Sequence, residues 1–177
     1  YSRAIGITSA NIRHNEAMSI MKRAFIFPGQ GSQTVGMGKE LATAHGHARE
    51  VFEEVDDALS QGLARLMFEG PEDELVLTEN AQPALMAVSL AVVRVLEREG
   101  NLALREAAAF VAGHSLGEYS ALAVAGALSL AETARLLKTR GRAMQEAVPV
   151  GAGAMAAIIG LEIDAIQNIR KRGRGED

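Results

Sequence analysis

Short apolar runs alternate along the chain with longer segments in which apolar residues recur every three or four positions. RAFIF at 23–27 and AAAFVAG at 107–113 predict buried strands, since each is a continuous apolar run next to a turn signal. GAMAAIIGL at 153–161 predicts a further strand. The segments between these runs have the apolar spacing of helices. Strands that alternate with helices predict an α/β fold with a mainly parallel sheet.

The helical segments of the first half differ in how much of their surface is apolar. Residues 39–59 carry one apolar stripe and predict a single amphipathic helix. Its acidic face is expected to be plain solvated surface and carries Glu50, Glu53, Glu54, Asp56 and Asp57. EGPEDEL at 69–75 predicts a turn and a short acidic helix. Residues 82–99 are apolar nearly all round until the last turn, so they predict a buried helix that ends at Gly100.

Three more helices are predicted in the second half of the chain. The first follows the strand at 107–113 and covers 117–125. Ser129 and Glu132 form an S-x-x-E capping box, which predicts a helix that opens there and ends near 148–149. DAIQNI at 164–169 starts the last helix, and the basic RKRGRGED at 170–177 is not expected to continue it.

The two ends of the chain suggest a domain organisation. Residues 1–20 lack the apolar core of a signal peptide and are expected to be a disordered leader or upstream segment, with Met21 as the natural start. Residues 21–150 are expected to form most of one large domain, and 151–177 the start of a second unit. Because the pattern stops abruptly, we expect a truncated or frame-disrupted gene product. The alternative is a solvated terminus.

Composition excludes several classes of function. Apolar residues make up 48% and charged residues 23% of the 177 residues, which is typical of a soluble globular protein. The net charge of −4 argues against a nucleic-acid partner. No stretch reaches the ~18 uninterrupted apolar residues of a membrane span. The lack of cysteine is consistent with a cytoplasmic location, and four dispersed histidines give no metal-ligand spacing.

The segment GHSLGEYS at 113–120 carries the strongest chemical signal. Its first five residues fit G-x-S-x-G between an apolar strand and a helix, a context that places Ser115 on a sharp turn as a nucleophile. The amide of Leu116, at the helix N-terminus, is a candidate oxyanion donor. His114 is expected to point away from Ser115 and to hydrogen-bond beneath the turn. The alternative is a serine that only caps the helix.

A second glycine-rich loop, PGQGSQ at 28–33, follows the first strand. Backbone amides of such a loop can face a ligand at the carboxyl end of a parallel strand. No G-K-[ST] follows, which excludes a phosphate-binding P-loop. The amide of Gln30 is therefore the candidate for a second oxyanion donor. A simple tight turn remains the alternative.

Five segments, taken in order, resemble one family. They are FIFPGQGSQTVGMG at 25–38, ENAQPALMA at 79–87, GHSLGEYSALAVAG at 113–126, RGRAMQEAVP at 140–149 and GAGAMAAIIGL at 151–161. They resemble the bacterial malonyl-CoA:acyl carrier protein transacylases and the acyltransferase domains of polyketide and animal fatty-acid synthases. The resemblance implies a hydrolase-like parallel sheet with flanking helices and a nucleophile elbow, and the start of a small ferredoxin-like subdomain at the C-terminus.

The activity that the resemblance implies is acyl transfer in fatty-acid biosynthesis. A malonyl group would pass from coenzyme A to the phosphopantetheine thiol of acyl carrier protein through a seryl ester at Ser115. Malonyl-CoA is a substrate in this scheme, and no cofactor or metal is implied. The partners are malonyl-CoA and acyl carrier protein, without nucleic acid or membrane.

The resemblance also implies roles for side chains that are distant in sequence. Arg140 falls where the family binds the free malonyl carboxylate, a task suited to a planar guanidinium. The alternative is a cation that complements a helix C-terminus. Gln82 falls where the family lines the substrate pocket, with a polar residue at the start of a buried helix as the alternative. Met144 is expected to pack near that pocket, and Gln30 and Leu116 match the family's oxyanion amides.

One part of the family's chemistry has no counterpart in this sequence. The family's histidine base lies in a short Ser-His dipeptide, which does not occur here, and His14, His45 and His47 match nothing in the family. We therefore expect an incomplete copy that is inactive on its own. The alternatives are a serine esterase or thioesterase that uses the same elbow, and a catalytically dead fragment.

Overall fold

Two parallel strands pair in the part of the chain that the structure describes. The structure is a computed structural model and describes residues 23–148 and 160–173. In it, β1 (Arg23–Phe27) pairs in parallel with β2 (Ala108–Gly113), and Phe27 lies opposite Gly113. The connection between the strands passes through helices, as a parallel pair requires. The predicted α/β class with a parallel sheet is confirmed at this level.

Helices make up most of the described residues. They are α1 (Lys39–Ala44), α2 (Gly46–Leu59), α3 (Leu63–Glu69), α4 (Glu72–Leu75), α5 (Thr78–Arg98), α6 (Leu104–Ala107), α7 (Gly117–Ala125), α8 (Leu130–Ala147) and α9 (Ile163–Gly173). The predicted helices at α4, α7 and α8 are confirmed. The capping box before α8 is formed: the amide of Glu132 donates to Ser129 Oγ at 3.2 Å, and the amide of Ser129 donates to Glu132 Oε2 at 2.9 Å.

The two strands are half-buried, whereas the sequence predicted buried strands. Phe27 is 6% exposed, but Ile26 and Phe110 are 75% and 63% exposed. Side chains alternate between the two faces of a strand, and the register places Ile26 and Phe110 on the same face. α7 packs against both strands and covers the face that carries Phe27. The apolar sequence of each strand therefore does not reveal which face is covered.

The prediction of a single helix over 39–59 is wrong, because the helix is interrupted at His45. His45 has extended backbone angles (φ −128°, ψ 115°) and separates α1 from α2. Its carbonyl accepts hydrogen bonds from the amides of Ala48 and Arg49 and so begins the second helix. Gly46, which follows, is a poor helix former. The apolar spacing continues through the break, so periodicity alone does not detect it.

The acidic face of α2 is exposed except at Asp56. Asp56 Oδ1 accepts a hydrogen bond from the amide of Ala64 at 2.9 Å, in the first turn of α3. Burial raises the pKa of Asp56, and hydrogen bonds from the amides of Ala64 and Leu63 partly offset that rise. Asp56 therefore caps α3 and is not the plain surface residue that was predicted.

The central helix α5 begins earlier than predicted and is buried over only part of its length. It starts at Thr78, and its buried residues lie between Asn80 and Ala91. Val92 and Leu96 are 41% and 38% exposed, although the sequence predicted burial until the last turn. α5 packs against α2 and α8, and the core between these helices and α3 contains the fully buried side chains of Val51, Leu63, Met67, Met86 and Leu137.

The chain divides into two compact units, with the boundary between Ala147 and Val148. The second unit contains α9, which continues through Gly173, so the expectation that the helix stops before residue 170 is wrong. Of the predicted strand at 153–161, only residues 160 and 161 are described, and neither lies in a strand. Residues 1–20 lie outside the described residues. None of the described helices combines the length and apolar character that crossing a membrane requires.

Candidate active site

Ser115 lies on a sharp turn between β2 and α7. Its backbone has φ +56°, in the left-handed region that costs a non-glycine residue roughly 1–2 kcal/mol. A Cβ on Gly117 would overlap the carbonyl oxygens of Phe27 and Pro28, and a Cβ on Gly113 would overlap the backbone of Gly117. Both glycines of the motif are therefore required by close backbone contacts. The result is the strand–turn–helix geometry that the motif predicts for a nucleophile.

The loop at 28–33 packs directly against this turn. Gly29 permits the approach, since a Cβ there would overlap the Nδ1 atom of His114. The amide of Gln30 lies in this loop, and the amide of Leu116 lies at the start of α7. Neither amide donates a hydrogen bond to another residue of the described ranges. Two such amides on segments that meet at Ser115 are suited to bind an oxyanion.

Arg140 reaches from α8 to the nucleophile. Its Nη2 donates a hydrogen bond to Ser115 Oγ at 3.1 Å, and its Nη1 donates to Gln82 Oε1 at 2.6 Å. The guanidinium carbon lies 5.8 Å from the centre of the Tyr119 ring, within the range of a cation–π contact. These three contacts orient the guanidinium into the site. With these contacts, Arg140 differs from a surface cation that only complements a helix dipole.

Gln82 lies behind Arg140 and is closed off from solvent. It is 1% exposed, and its Nε2 donates to Met144 Sδ at 3.3 Å while its Oε1 accepts from Arg140. Both ends of the amide are therefore engaged inside the protein. Gln82 therefore holds Arg140 from inside the protein, and its role in lining the substrate pocket stays a prediction. Met144 contacts Gln82, and its expected position near the substrate pocket stays a prediction.

The hydrogen-bond partner of Ser115 Oγ among the described residues is a cation. A guanidinium has five donors, no acceptor and a permanent charge, so Arg140 cannot take the proton of the serine. His114 is exposed, and its ring makes no hydrogen bond to another described residue, so the bond predicted beneath the turn is not formed there. The described residues thus supply a nucleophile and a cation, but no base in contact with the nucleophile.

The remaining histidines have other partners or lie outside the described ranges. His45 Nδ1 lies 2.7 Å from Glu99 Oε2, and His47 Nδ1 lies 3.3 Å from Glu50 Oε2. His14 lies outside the described residues. For His45 and His47, the sequence-based conclusion that neither matches the family's base is consistent with these contacts.

Sequence reasoning missed two residues of the site. Tyr119 follows Ser115 by one helical turn, and this spacing was a signal that could have identified it. Thr78 Oγ1 accepts a hydrogen bond from Gln30 Nε2 at 3.5 Å and so links the loop at 28–33 to α5. Gln30 and Thr78 are 48 positions apart, and no local pattern joins them.

Within residues 23–148 and 160–173, no group of three or more His, Cys, Asp or Glu side chains is placed to hold a metal ion. That the site acts without a metal or cofactor remains a prediction.

Residues 24–175 match the family described as the acyl transferase domain. This chain belongs to the acyl transferase domain family. The match includes the turn at Ser115, the loop at 28–33 and Arg140, so the parts of the site described above all lie within this acyl transferase domain.

Individual relatives of this acyl transferase domain are malonyl transferases. The malonyl CoA-acyl carrier protein transacylase of Bacillus subtilis (strain 168) is 49% identical over 148 residues, which are 84% of this chain and 45% of the relative. A solved acyl-carrier-protein-S-malonyltransferase from Bartonella henselae is 60% identical, with a TM-score of 0.79 over 88% of this chain and 49% of that chain. The chain therefore spans about half the length of the relatives it matches.

A third relative was solved with a partner. It is a malonyl-transacylase in complex with its type II PKS acyl-carrier protein, and it is 46% identical to this chain. The TM-score is 0.76, and the likeness covers 86% of this chain and 48% of that chain.

Proposed function

We propose that this acyl transferase domain moves a malonyl group from coenzyme A to the phosphopantetheine thiol of acyl carrier protein. The observation that carries the proposal is the 3.1 Å hydrogen bond from Arg140 to Ser115 Oγ. A guanidinium beside the nucleophile matches an acyl group that has a free carboxylate at its far end. The relatives named above, which are malonyl transferases, support this choice of substrate.

The chemistry proceeds in two steps through Ser115. Its Oγ attacks the thioester carbonyl of malonyl-CoA, the C–S bond breaks, and the thiol of coenzyme A leaves with the proton of the serine. The phosphopantetheine thiol then attacks the seryl ester, the C–O bond breaks, and serine regains a proton. Negative charge develops on the carbonyl oxygen in both steps, and the amides of Leu116 and Gln30 are assigned to bind it.

Both steps also need a group that accepts and returns a proton. Arg140 cannot do this, because a guanidinium has no acceptor at neutral pH. We therefore assign the base to a residue outside the described ranges or outside this sequence.

A serine esterase or thioesterase could use the same turn, but Arg140 argues against it. Partial burial of a guanidinium costs desolvation energy. A carboxylate on the substrate offsets that cost through charge-assisted hydrogen bonds, whereas a neutral ester does not. Transfer of a carboxylate-bearing acyl group is therefore the better assignment.

The remaining assignments belong to the same proposal. Acyl carrier protein is the partner found with one solved relative, and we propose it as the acceptor here, in the cytoplasm and without a cofactor. Likeness to malonyltransferases also supports the hydrolase-like form of the sheet, the large domain over 21–150 and a ferredoxin-like subdomain that begins in 151–177.

A chimaera tests the proposal. Residues 21–173 are joined to the part of the B. henselae relative that this chain does not cover, and the product is incubated with malonyl-CoA, digested and analysed by mass spectrometry. We expect a malonyl adduct on the peptide that contains Ser115, and its loss when carrier protein with a phosphopantetheine thiol is added. Ser115→Ala is the control and should carry no adduct.

Two outcomes would contradict the proposal. A malonyl group found reproducibly on another residue, with Ser115 unmodified, would remove the nucleophile assignment. Release of free malonate without transfer to the carrier protein would favour the thioesterase instead.

A further inference from the structure

Glu79 ties α8 to the first turn of α5 through two cations. Its Oε2 lies 2.9 Å from Lys138 Nζ and 3.0 Å from Arg142 Nε. Lys138 Nζ also donates to Asn80 Oδ1 at 2.8 Å. The hydrogen bonds from Lys138 and Arg142 lower the pKa of Glu79, so its carboxylate stays charged at neutral pH. This ion pair lies outside the site described above.

The two cations precede and follow Arg140 on α8. Lys138 and Arg142 are four residues apart and share one face of the helix, whereas Arg140 points about 160° away from each of them. Gly141 faces α5, in a direction between that of Arg140 and the one shared by Lys138 and Arg142. A Cβ on Gly141 would lie 2.7 Å from the carbonyl oxygen of Thr78, so the two helix backbones approach closely at this point.

Polar contacts therefore hold α8 on both sides of the Gly141 contact. On one side Glu79 binds Lys138 and Arg142, and on the other side Gln82 binds Arg140. Leu137 anchors the preceding turn of α8 in the core, but Gly141 itself has no side chain that interlocks with the facing helix, so at this turn the polar contacts set the local rotation of α8. A change in this rotation would withdraw the guanidinium of Arg140 from Ser115.

We propose that Glu79 is a positioning residue for Arg140. By binding Lys138 and Arg142, it fixes the rotation of α8 and keeps the guanidinium beside Ser115, where it selects acyl groups that bear a carboxylate. The substrate part of this inference rests on the proposed function. The restraint on Arg140 is a property of the protein alone and can be measured without substrate.

The restraint is measured first, in the full 177-residue chain. Gln82 and Ser115 each hold one Nη atom of Arg140, so ¹⁵N spectra of its guanidinium are expected to show separate Nη signals. In Glu79→Gln the neutral amide cannot pair with both cations, and we expect the two signals to merge through faster rotation. Glu79→Asp keeps the charge and is expected to retain part of the separation.

Glu99→Gln is the matched control. It makes the same change of charge just beyond the other end of α5, where Glu99 pairs with His45 at 2.7 Å. This contact also links helices, so the control accounts for the loss of a negative charge and of a side-chain hydrogen bond as such. The Nη signals of Arg140 should be unchanged in this variant.

Acyl selectivity is measured next, by calorimetric binding of malonyl-CoA and acetyl-CoA to the same variants. Glu79→Gln is expected to weaken binding of malonyl-CoA about fivefold, the upper end of the range for ion pairs that solvent still reaches, since Arg142 is mostly exposed and Glu79 partly so. Binding of acetyl-CoA should not change, because the acetyl group has no carboxylate. Equal weakening of both ligands would indicate a purely structural role and would overturn the proposal.

The two measurements separate the failure of this inference from the failure of the proposed function. Nη signals that stay separate in Glu79→Gln, or that are already merged in the unmodified chain, overturn the positioning role whatever the substrate is. Signals that merge only in the variant, with equal binding of the two ligands by the unmodified chain, support the restraint and contradict the proposed function. Merged signals with a loss confined to malonyl-CoA support both.

Discussion

Gln82 Oε1 accepts a hydrogen bond from Arg140 Nη1 at 2.6 Å, although the two residues are 58 positions apart, on α5 and α8. Gln82 is 1% exposed, so the bond holds one end of the guanidinium from inside the protein. The other end faces Ser115. A cation that is fixed on one side and open on the other can hold a carboxylate at a set distance from the reacting carbonyl.

Loss of this buried bond should destabilise the chain. Gln82→Leu removes the acceptor of Arg140 Nη1 and the donor to Met144, and we expect the free energy of unfolding to fall by about 1–3 kcal/mol. Urea denaturation measures the change. Gln167→Leu, on the exposed side of α9, is the control and should have little effect. If both variants unfolded alike, the bond would contribute nothing measurable.

Arg140 should discriminate between acyl groups. In the chimaera, Arg140→Ala is expected to raise the activation free energy that kcat/KM reports for malonyl transfer by about 2–5 kcal/mol, the usual cost of truncating one partner of a charge pair that the bound substrate buries. Acetyl transfer should change much less, because no carboxylate is bound. Arg65→Ala, an exposed arginine on α3, serves as the control. Equal losses for malonyl and acetyl substrates would mean that Arg140 is structural.

Local signals in the sequence were sufficient for the turn at Ser115 and for the start of α8. In both places the residue spacing itself specifies the backbone, through the close contacts of Gly113 and Gly117 and through the capping box. The contact between Arg140 and Ser115 joins residues 25 positions apart, and only the family resemblance assigned both residues to one site. Burial of Gln82 and exposure of Phe110 depend on which elements pack nearby, and no local pattern records that.

The backbone strain at Ser115 should be measurable as stability. Ser115→Gly removes the nucleophile but relieves a left-handed φ of +56°, whereas Ser115→Ala removes it and keeps the strain. We expect the glycine variant to be more stable than the alanine variant by about 0.5–1 kcal/mol, after allowance for the greater freedom of glycine in the unfolded chain. Urea denaturation of the two variants gives the difference directly.

A serine in ordinary helical conformation provides the control for this effect. Ser89 lies inside α5, and there the glycine variant should be less stable than the alanine variant by about 1 kcal/mol. The same sign at positions 89 and 115 would show that the turn stores no strain.

The cap at Asp56 should give a pH-dependent stability. Burial raises the pKa of Asp56 in the folded state, so its contribution to stability is present below the unfolded pKa and is lost as pH rises through the folded pKa. Asp56→Asn keeps an acceptor for the amide of Ala64 and removes the charge. We expect it to unfold at a higher temperature than the unmodified chain at pH 7, and to lose that advantage as the pH falls to about 4.

Two further variants complete this test. Asp56→Ala removes the acceptor and should cost about 1 kcal/mol at neutral pH. Asp57→Asn removes the charge of the exposed neighbour and is the control for the loss of a negative charge at this end of α2. If the stability advantage of Asp56→Asn over the unmodified chain were constant from pH 4 to pH 7, burial of the Asp56 charge would not be the cause of that advantage.

The last prediction is that the 177-residue chain, alone, binds malonyl-CoA but does not transfer the malonyl group. Binding draws on Arg140 and on the amides of Gln30 and Leu116, all of which the described residues supply. Acylation also needs a proton acceptor, and among the described residues Ser115 Oγ is hydrogen-bonded to Arg140, which has none to offer. In a serine protease, removal of the histidine base alone costs about 10⁶ in turnover.

Added imidazole distinguishes a missing base from a misfolded site. Imidazole in solution can accept the proton of Ser115, so a folded site that lacks only its base should acylate faster as imidazole is added, while Ser115→Ala should show no response. The rate is measured as malonyl transfer to acyl carrier protein, beside the B. henselae relative at full length. Transfer within about tenfold of that relative without imidazole would show that a base is already present, since the expected deficit is several orders of magnitude. No response to imidazole in a chain that binds malonyl-CoA would instead place the defect in the geometry at Ser115.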